Sequence, residues 1–201
     1  MQPREWFFMN AWRWKCGLPP IEYTLNHMPD LDVLKNLQWD EAFEVSCRNL
    51  MEFWDEQFIR YCKRRMIQGA FRYGTLEKNK NKDASVALNN IKYRLERFWA
   101  TKDLTLLCDA ANFAFIAFYN FRHQGYEAMP ALIPRIHATK TRSVAATSFK
   151  VIELFTEHFN NTHNLTTLCL IFNFCMVLFS KFKEVPGCTF AETKTKEIIW
   201  S

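Results

Sequence analysis

With 201 residues, 49% of them apolar and 23% charged, the chain has ample material for a folded core and does not fall in the disordered class. A net charge of +5, from 26 Lys and Arg against 21 Asp and Glu, is well short of the basic stripe of a dedicated nucleic-acid binder. Only five Gly and seven Pro leave few turns, which excludes a many-stranded sheet and predicts an all-α chain of long helices.

Residues 1–39 form an aromatic N-terminal arm in which Trp6, Trp12 and Trp14 stand among Arg4, Arg13 and Lys15. Such a cluster either packs on its own body, as large aromatics usually do, or presents a partner surface, where Trp and Arg concentrate. The same charges leave no apolar stretch of signal-peptide length. Seven Cys form no CxxC pair, so the expected setting is a reducing, cytoplasmic one with thiols acting as small hydrophobes.

A single long helix is expected over about 40–73, because Phe43, Cys47, Leu50, Trp54, Phe58, Tyr61 and Cys62 recur mostly at spacings of three and four. Asp40 is its expected N-cap and Gly74 its stop. Glu41, Glu44, Glu52 and Asp55 form a carboxylate stripe of the type that can hold Mg²⁺. Arg48, four residues from both Glu44 and Glu52, instead reads that stripe as an ion-paired face.

Beyond a lysine-rich loop at 74–83, a helix over about 84–100 carries Ala87, Ile91, Leu95 and Phe98 on one face. A central helix over 104–121, capped by Asp103 or Thr101, is apolar nearly all round and so is expected to be buried. A basic connector at 126–142 includes Arg135, Lys140 and Arg142. Two more helices come after it, near 143–160 and 165–182, and Pro186-Gly187 ends the last. The tail from 188 is expected to be a weakly structured appendage, and the sequons at Asn160 and Asn164 carry no meaning in a cytoplasmic chain. The fifteen mostly apolar residues 165–179 are fewer than the roughly 20 of a membrane span.

These last four helices read as a duplication. Sliding the chain by 61 positions lays residues 91–121 on 152–182 with twelve identities in 31 positions, among them Thr101/Thr162, Cys108/Cys169, Asn112/Asn173 and Phe118/Phe179. The expected architecture is a single-domain helical bundle with an internally duplicated helix pair, about 84–125 and 143–187. A long helix and the arm precede the first unit, and the basic connector precedes the second.

Asp109 and Asn112 lie three apart within the central helix, and a buried carboxylate must be paired, hydrogen-bonded or bound to a cation. Arg72-Tyr73-Gly74 followed by Asp109-Ala110-Ala111-Asn112 resembles a group of small phage-encoded helical proteins without assigned activity. The segment Phe182–Thr195 resembles the stretch after that helix in the same group. More distantly the chain is similar to the MazG-type all-α nucleoside triphosphate pyrophosphatases. That resemblance implies an Mg²⁺ site with Glu41 and Glu44 as the first acidic pair and Asp109 as the last acid. Leu106 stands where the pattern needs a further Glu, and Leu170 replaces the acid in the second unit, so the cage is incomplete. Without it no cofactor is expected. The structural alternative makes Asp109, Asn112 and Asn173 a polar core, with the two amides facing each other across a pseudo-twofold axis.

No nucleotide-binding glycine loop and no nucleophile motif is present. Arg64, Arg65, Arg72 and Tyr73, with the connector cations, are candidates for tracking phosphates. The expected function is therefore a non-enzymatic binding protein, in the phage context an accessory factor acting on a host protein or interfering with host defence. Its partners by this reading are a host protein or a second copy of itself, with a small nucleotide or nucleic acid as the other ligands and no membrane.

Overall fold

The computed structural model describes residues 38–80, 85–130 and 144–190. The described residues form seven helices and no strand, an all-α bundle. They are α1 (Glu41–Asn49), α2 (Glu56–Tyr73), the single turn α3 (Leu76–Asn79), α4 (Ser85–Thr101), α5 (Thr105–His123), α6 (Val144–Thr162) and α7 (Thr166–Phe182). None of them is long and apolar enough to cross a membrane.

The two most apolar helices, α5 and α7, pack along each other at the centre. Both are buried along most of their length, Leu107, Ala111, Ala114 and Phe118 on α5 and Leu168, Phe172, Cys175 and Phe179 on α7 among the buried residues. Helix α4 packs on α5 through Ile91, Leu95 and Phe98, and α6 packs on α7 with Val151, Ile152 and Phe155 buried.

The expected helix over 40–73 is broken. Helix α1 ends at Asn49, and Leu50–Asp55 form a non-helical link before α2. No Gly or Pro marks the break. Its cause is Asp55, whose side chain accepts from the Phe58 amide at 3.1 Å and so starts a new helix. Asp40 caps α1 as expected, accepting from the Ala42 and Phe43 amides. Gly74 ends α2 with φ +88°, a conformation that costs glycine little.

The two junctions within the helix pairs take the same path. Lys102 between α4 and α5 has φ +59°, and His163 between α6 and α7 has φ +52°. Each donates its amide at 2.7 Å, Lys102 to the Phe98 carbonyl and His163 to the Phe159 carbonyl. Asp103 then accepts from the Thr105 amide and Asn164 from the Thr166 amide, both at 3.0 Å. These are Asx-type caps one position earlier than a standard N-cap.

The segment after each central helix covers the junction of the other pair. Glu127, after α5, accepts from the Leu165 amide at 3.1 Å, and Met129 exchanges hydrogen bonds with the Asn164 side chain. Thr189, after α7, accepts from the Leu104 amide at 2.8 Å and donates to the Lys102 carbonyl at 3.0 Å. The start of the tail is thus docked rather than an appendage, and Phe190 stacks on Tyr61 with ring centroids 4.5 Å apart. Asn164, one of the two sequon residues, is buried by this contact.

Candidate functional site

Two polar assemblies stand out against the apolar core. The first surrounds Asp109, which faces α2 and α4. The Arg65 guanidinium grips its carboxylate with both Nε and Nη2, the latter at 2.9 Å, and Arg94 Nε stands 3.9 Å away. Burial alone would make Arg65 easier to deprotonate, and Asp109 more than offsets this. A bidentate guanidinium pair of this kind satisfies the carboxylate in the way a metal otherwise would.

Asn112, one turn further along α5, donates to the Cys62 carbonyl at 3.0 Å, and Asn173 on α7 donates to the Cys47 carbonyl at 2.9 Å. The two amides therefore do not face each other. Each ties its central helix to the backbone of a different preceding helix, and neither Oδ1 has a partner among the described residues.

The second assembly is an open groove of about 700 Å³ between α1 and α2. Its α1 wall carries Glu41, Glu44 and Arg48, and its α2 wall carries Arg60, Lys63 and Arg64. Both sets keep helical spacings of three and four, so each is one face of its helix. Glu44 accepts from Arg48 at 3.3 Å, Lys63 at 2.8 Å and Trp39 Nε1 at 2.8 Å. Burial would raise the Glu44 carboxyl, but the hydrogen bonds from Lys63, Trp39 and Arg48 outweigh it and hold it below the ordinary value. Arg48 pairs as well with Glu56, across the break, rather than with Glu52.

The cations are also seated on aromatic rings. The Arg48 guanidinium lies 4.4 Å from the Trp54 ring centroid and the Lys63 ammonium 5.2 Å from that of Trp39. Such contacts fix the direction of an otherwise mobile charged chain. The sequence carries a signal for this arrangement that hydrophobic periodicity does not register. Trp39-Asp40-Glu41-Ala42-Phe43, with Cys47 four further on, recurs fifteen positions later as Trp54-Asp55-Glu56-Gln57-Phe58 with Cys62.

The residues proposed from sequence are thus distributed over separate places. Glu41, Glu44 and Arg64 share the groove, Asp109 and Arg65 form the partly buried ion pair, and Tyr73 is exposed at the end of α2. No group of three or more His, Cys, Asp or Glu that could hold a metal exists among the described residues, so Glu41, Glu44 and Asp109 do not come together as a cage. Trp6, Trp12, Trp14, Arg135, Lys140, Arg142 and the side chain of Arg72 lie outside the described residues. No family model, no curated protein and no solved structure matches the chain.

Proposed function

We propose that this chain is a non-enzymatic binding protein built by duplication. By the resemblance in its sequence, it is a phage accessory factor that engages a host component. The observation that carries the reading is the state of Asp109. The one acid inside the central helices is held bidentate by Arg65 with Arg94 beside it, and Glu44 is held by two cations and an indole. Carboxylates occupied in this way are poor ligands for Mg²⁺, whose chemistry needs the acids free to share its charge with substrate phosphates. The α1–α2 groove instead offers an accessible polar surface among the described residues, which favours contact over turnover.

The duplication is supported by the matched junctions at Lys102 and His163, and by the crossed covering segments after α5 and α7. It extends to α1 and α2 through the repeated Trp-Asp-Glu segment. Under this reading α1, α7 and α6 form one unit, and α2, α5 and α4 the other.

Pyrophosphate release from nucleoside triphosphates in Mg²⁺ tests the proposal. The expected result is no turnover above background by the purified chain. Robust turnover that Asp109→Ala abolishes without loss of thermal stability would establish the pyrophosphatase reading in its place.

A further inference from the structure

Taking the binding reading as its basis, we infer that the groove between α1 and α2 binds a small oligophosphate-bearing anion. Among the described residues, four cations, Arg48, Arg60, Lys63 and Arg64, line it with two carboxylates, Glu41 and Glu44. These cations stand on both walls of the groove, with Glu56 pairing Arg48 from beside it. Arg60, Lys63 and Arg64 project from one face of α2, and Arg48 faces them from α1, so an anion between the helices meets cations from both sides.

The cations are held ready for such a ligand. Glu44 bridges Lys63 of α2 and Arg48 of α1 at the base of the groove, and the two cations rest on the faces of Trp39 and Trp54. Holding charged side chains in place before a ligand arrives lowers the entropic cost of binding it. Arg60 is exposed on the same face of α2. Phosphate oxygens accept charge-assisted hydrogen bonds from guanidinium and ammonium groups, and a linear oligophosphate offers several along one axis.

The size and charge pattern favour a small ligand over a nucleic-acid strand. A volume of about 700 Å³ lies within the range of small-molecule sites. Glu41 and Glu44 interrupt the cations, which a passing phosphate backbone would meet as repulsion.

The test is calorimetric titration of the full chain with inorganic tripolyphosphate, with ATP, and with a single-stranded oligonucleotide. Saturable tripolyphosphate binding is expected, weakened about tenfold or more by Arg60→Ala combined with Lys63→Ala, since each removes a charge-assisted contact. Thermal melting of that variant should fall only modestly, as Arg60 is exposed and Glu44 keeps Arg48 and the Trp39 indole when Lys63 is removed. Lys92→Ala, a cation on α4 paired with Glu153, should leave the affinity unchanged. ATP binding as tight as tripolyphosphate assigns the site to the phosphates, whichever molecule bears them. The inference is overturned by absence of saturable binding, by an equal loss in Lys92→Ala, or by an oligonucleotide that binds more tightly and displaces tripolyphosphate. None of these results bears on turnover, so the binding-protein reading stands or falls separately on the pyrophosphate assay.

Discussion

Lys183 at the end of α7 donates to Asp55, the N-cap of α2, at 2.8 Å, and Arg122 at the end of α5 donates to Asp40, the N-cap of α1, at the same 2.8 Å. The two acids are fifteen residues apart and the two cations sixty-one, the spacings of the two internal repeats. Each acid thereby does two jobs. It satisfies amides at the start of one helix and anchors the last turn of a central helix, where a cation is favoured by the helix dipole.

The two anchors differ in burial, and that difference sets the first prediction. Asp55 is almost fully buried and also accepts from Ser180, whereas Arg122 on the Asp40 pair is half exposed. Asp55→Ala should cost about 2–4 kcal/mol, the loss of a cap together with a stranded lysine. Asp40→Ala should cost about 1 kcal/mol, mostly the cap. Burial alone would raise the Asp55 carboxyl, but Lys183, Ser180 and the Phe58 amide outweigh it and hold it below its ordinary value. Its contribution is therefore fully present above the unfolded-state pKa of about 3.9. It is lost as pH falls through the lower folded value. Denaturant titrations between pH 7 and pH 2 should show this acid-side loss in the wild type and a shallower one in Asp55→Ala.

The second prediction concerns the Asp109 cluster. Under the duplication, Arg65, Asp109 and Arg94 correspond to Leu50, Leu170 and Phe155, so an ionic triad in one unit stands where the other is apolar. All three apolar counterparts pack on or within the core. Asp109→Ala alone leaves two partly buried guanidinium groups facing each other and should cost about 1–3 kcal/mol. Replacing the whole triad, with Arg65→Leu, Asp109→Leu and Arg94→Phe together, should restore stability to within about 1 kcal/mol of wild type. Urea denaturation of the single and triple variants decides this. A triple variant as unstable as the sum of the singles would show that the two sites are not equivalent.

Much of this was legible in the sequence, and the parts that were not have physical reasons. Helices α4 to α7 are set by the 3.6-residue recurrence of Ile91, Leu95 and Phe98 and by the apolar centres of α5 and α7. The break at Leu50–Asp55 was hidden because Phe43, Cys47, Leu50, Trp54 and Phe58 keep the same recurrence on both sides of it. Periodicity records which residues face the core, and both helices face the same core. Only the repeated Trp-Asp-Glu segment marks two starts. The Arg65–Asp109 pair joins residues 44 positions apart, and no local pattern specifies which cation meets a partly buried acid. The docking of Thr189 on Leu104 was likewise out of reach, because a backbone pairing of three residues leaves no periodic trace.

Thiol reactivity offers a third prediction. Cys47, Cys62, Cys108, Cys169 and Cys175 are buried, whereas Cys188 is partly exposed. Burial pushes the Cys47, Cys62 and Cys175 thiols up, away from the reactive thiolate. With a thiol reagent at about pH 8, near the ordinary cysteine pKa, peptide mapping should show Cys188 modified first among these six. The five buried thiols should react only on the timescale of unfolding. Prompt labelling of Cys62 or Cys108 in the native chain would contradict the packing of α2 on α5.

Asn112 and Asn173 make the last prediction, because each donates to a carbonyl while its own oxygen lacks a partner among the described residues. The donor is the useful half of each amide. Truncation to Ala should cost about 1–2 kcal/mol at either position, from one lost hydrogen bond and a small void. Substitution by Asp keeps the shape and inverts the chemistry. Ionised, the new carboxylate would sit against the Cys62 or Cys47 carbonyl, where the amide oxygen accepts from none of the described residues, a poorly compensated buried charge. Protonated, its hydroxyl can donate to that carbonyl as the amide did. The folded-state pKa must then be raised above the unfolded value of about 3.9. Stability is accordingly retained below that pH and lost as pH rises toward the folded pKa, the reverse of the Asp55 case. Asn112→Asp and Asn173→Asp should each be close to wild type near pH 4 and weaker by about 3 kcal/mol or more at pH 7. Melting curves at the two pH values provide the measurement, and a loss independent of pH would show that the amides do not serve as donors to these carbonyls.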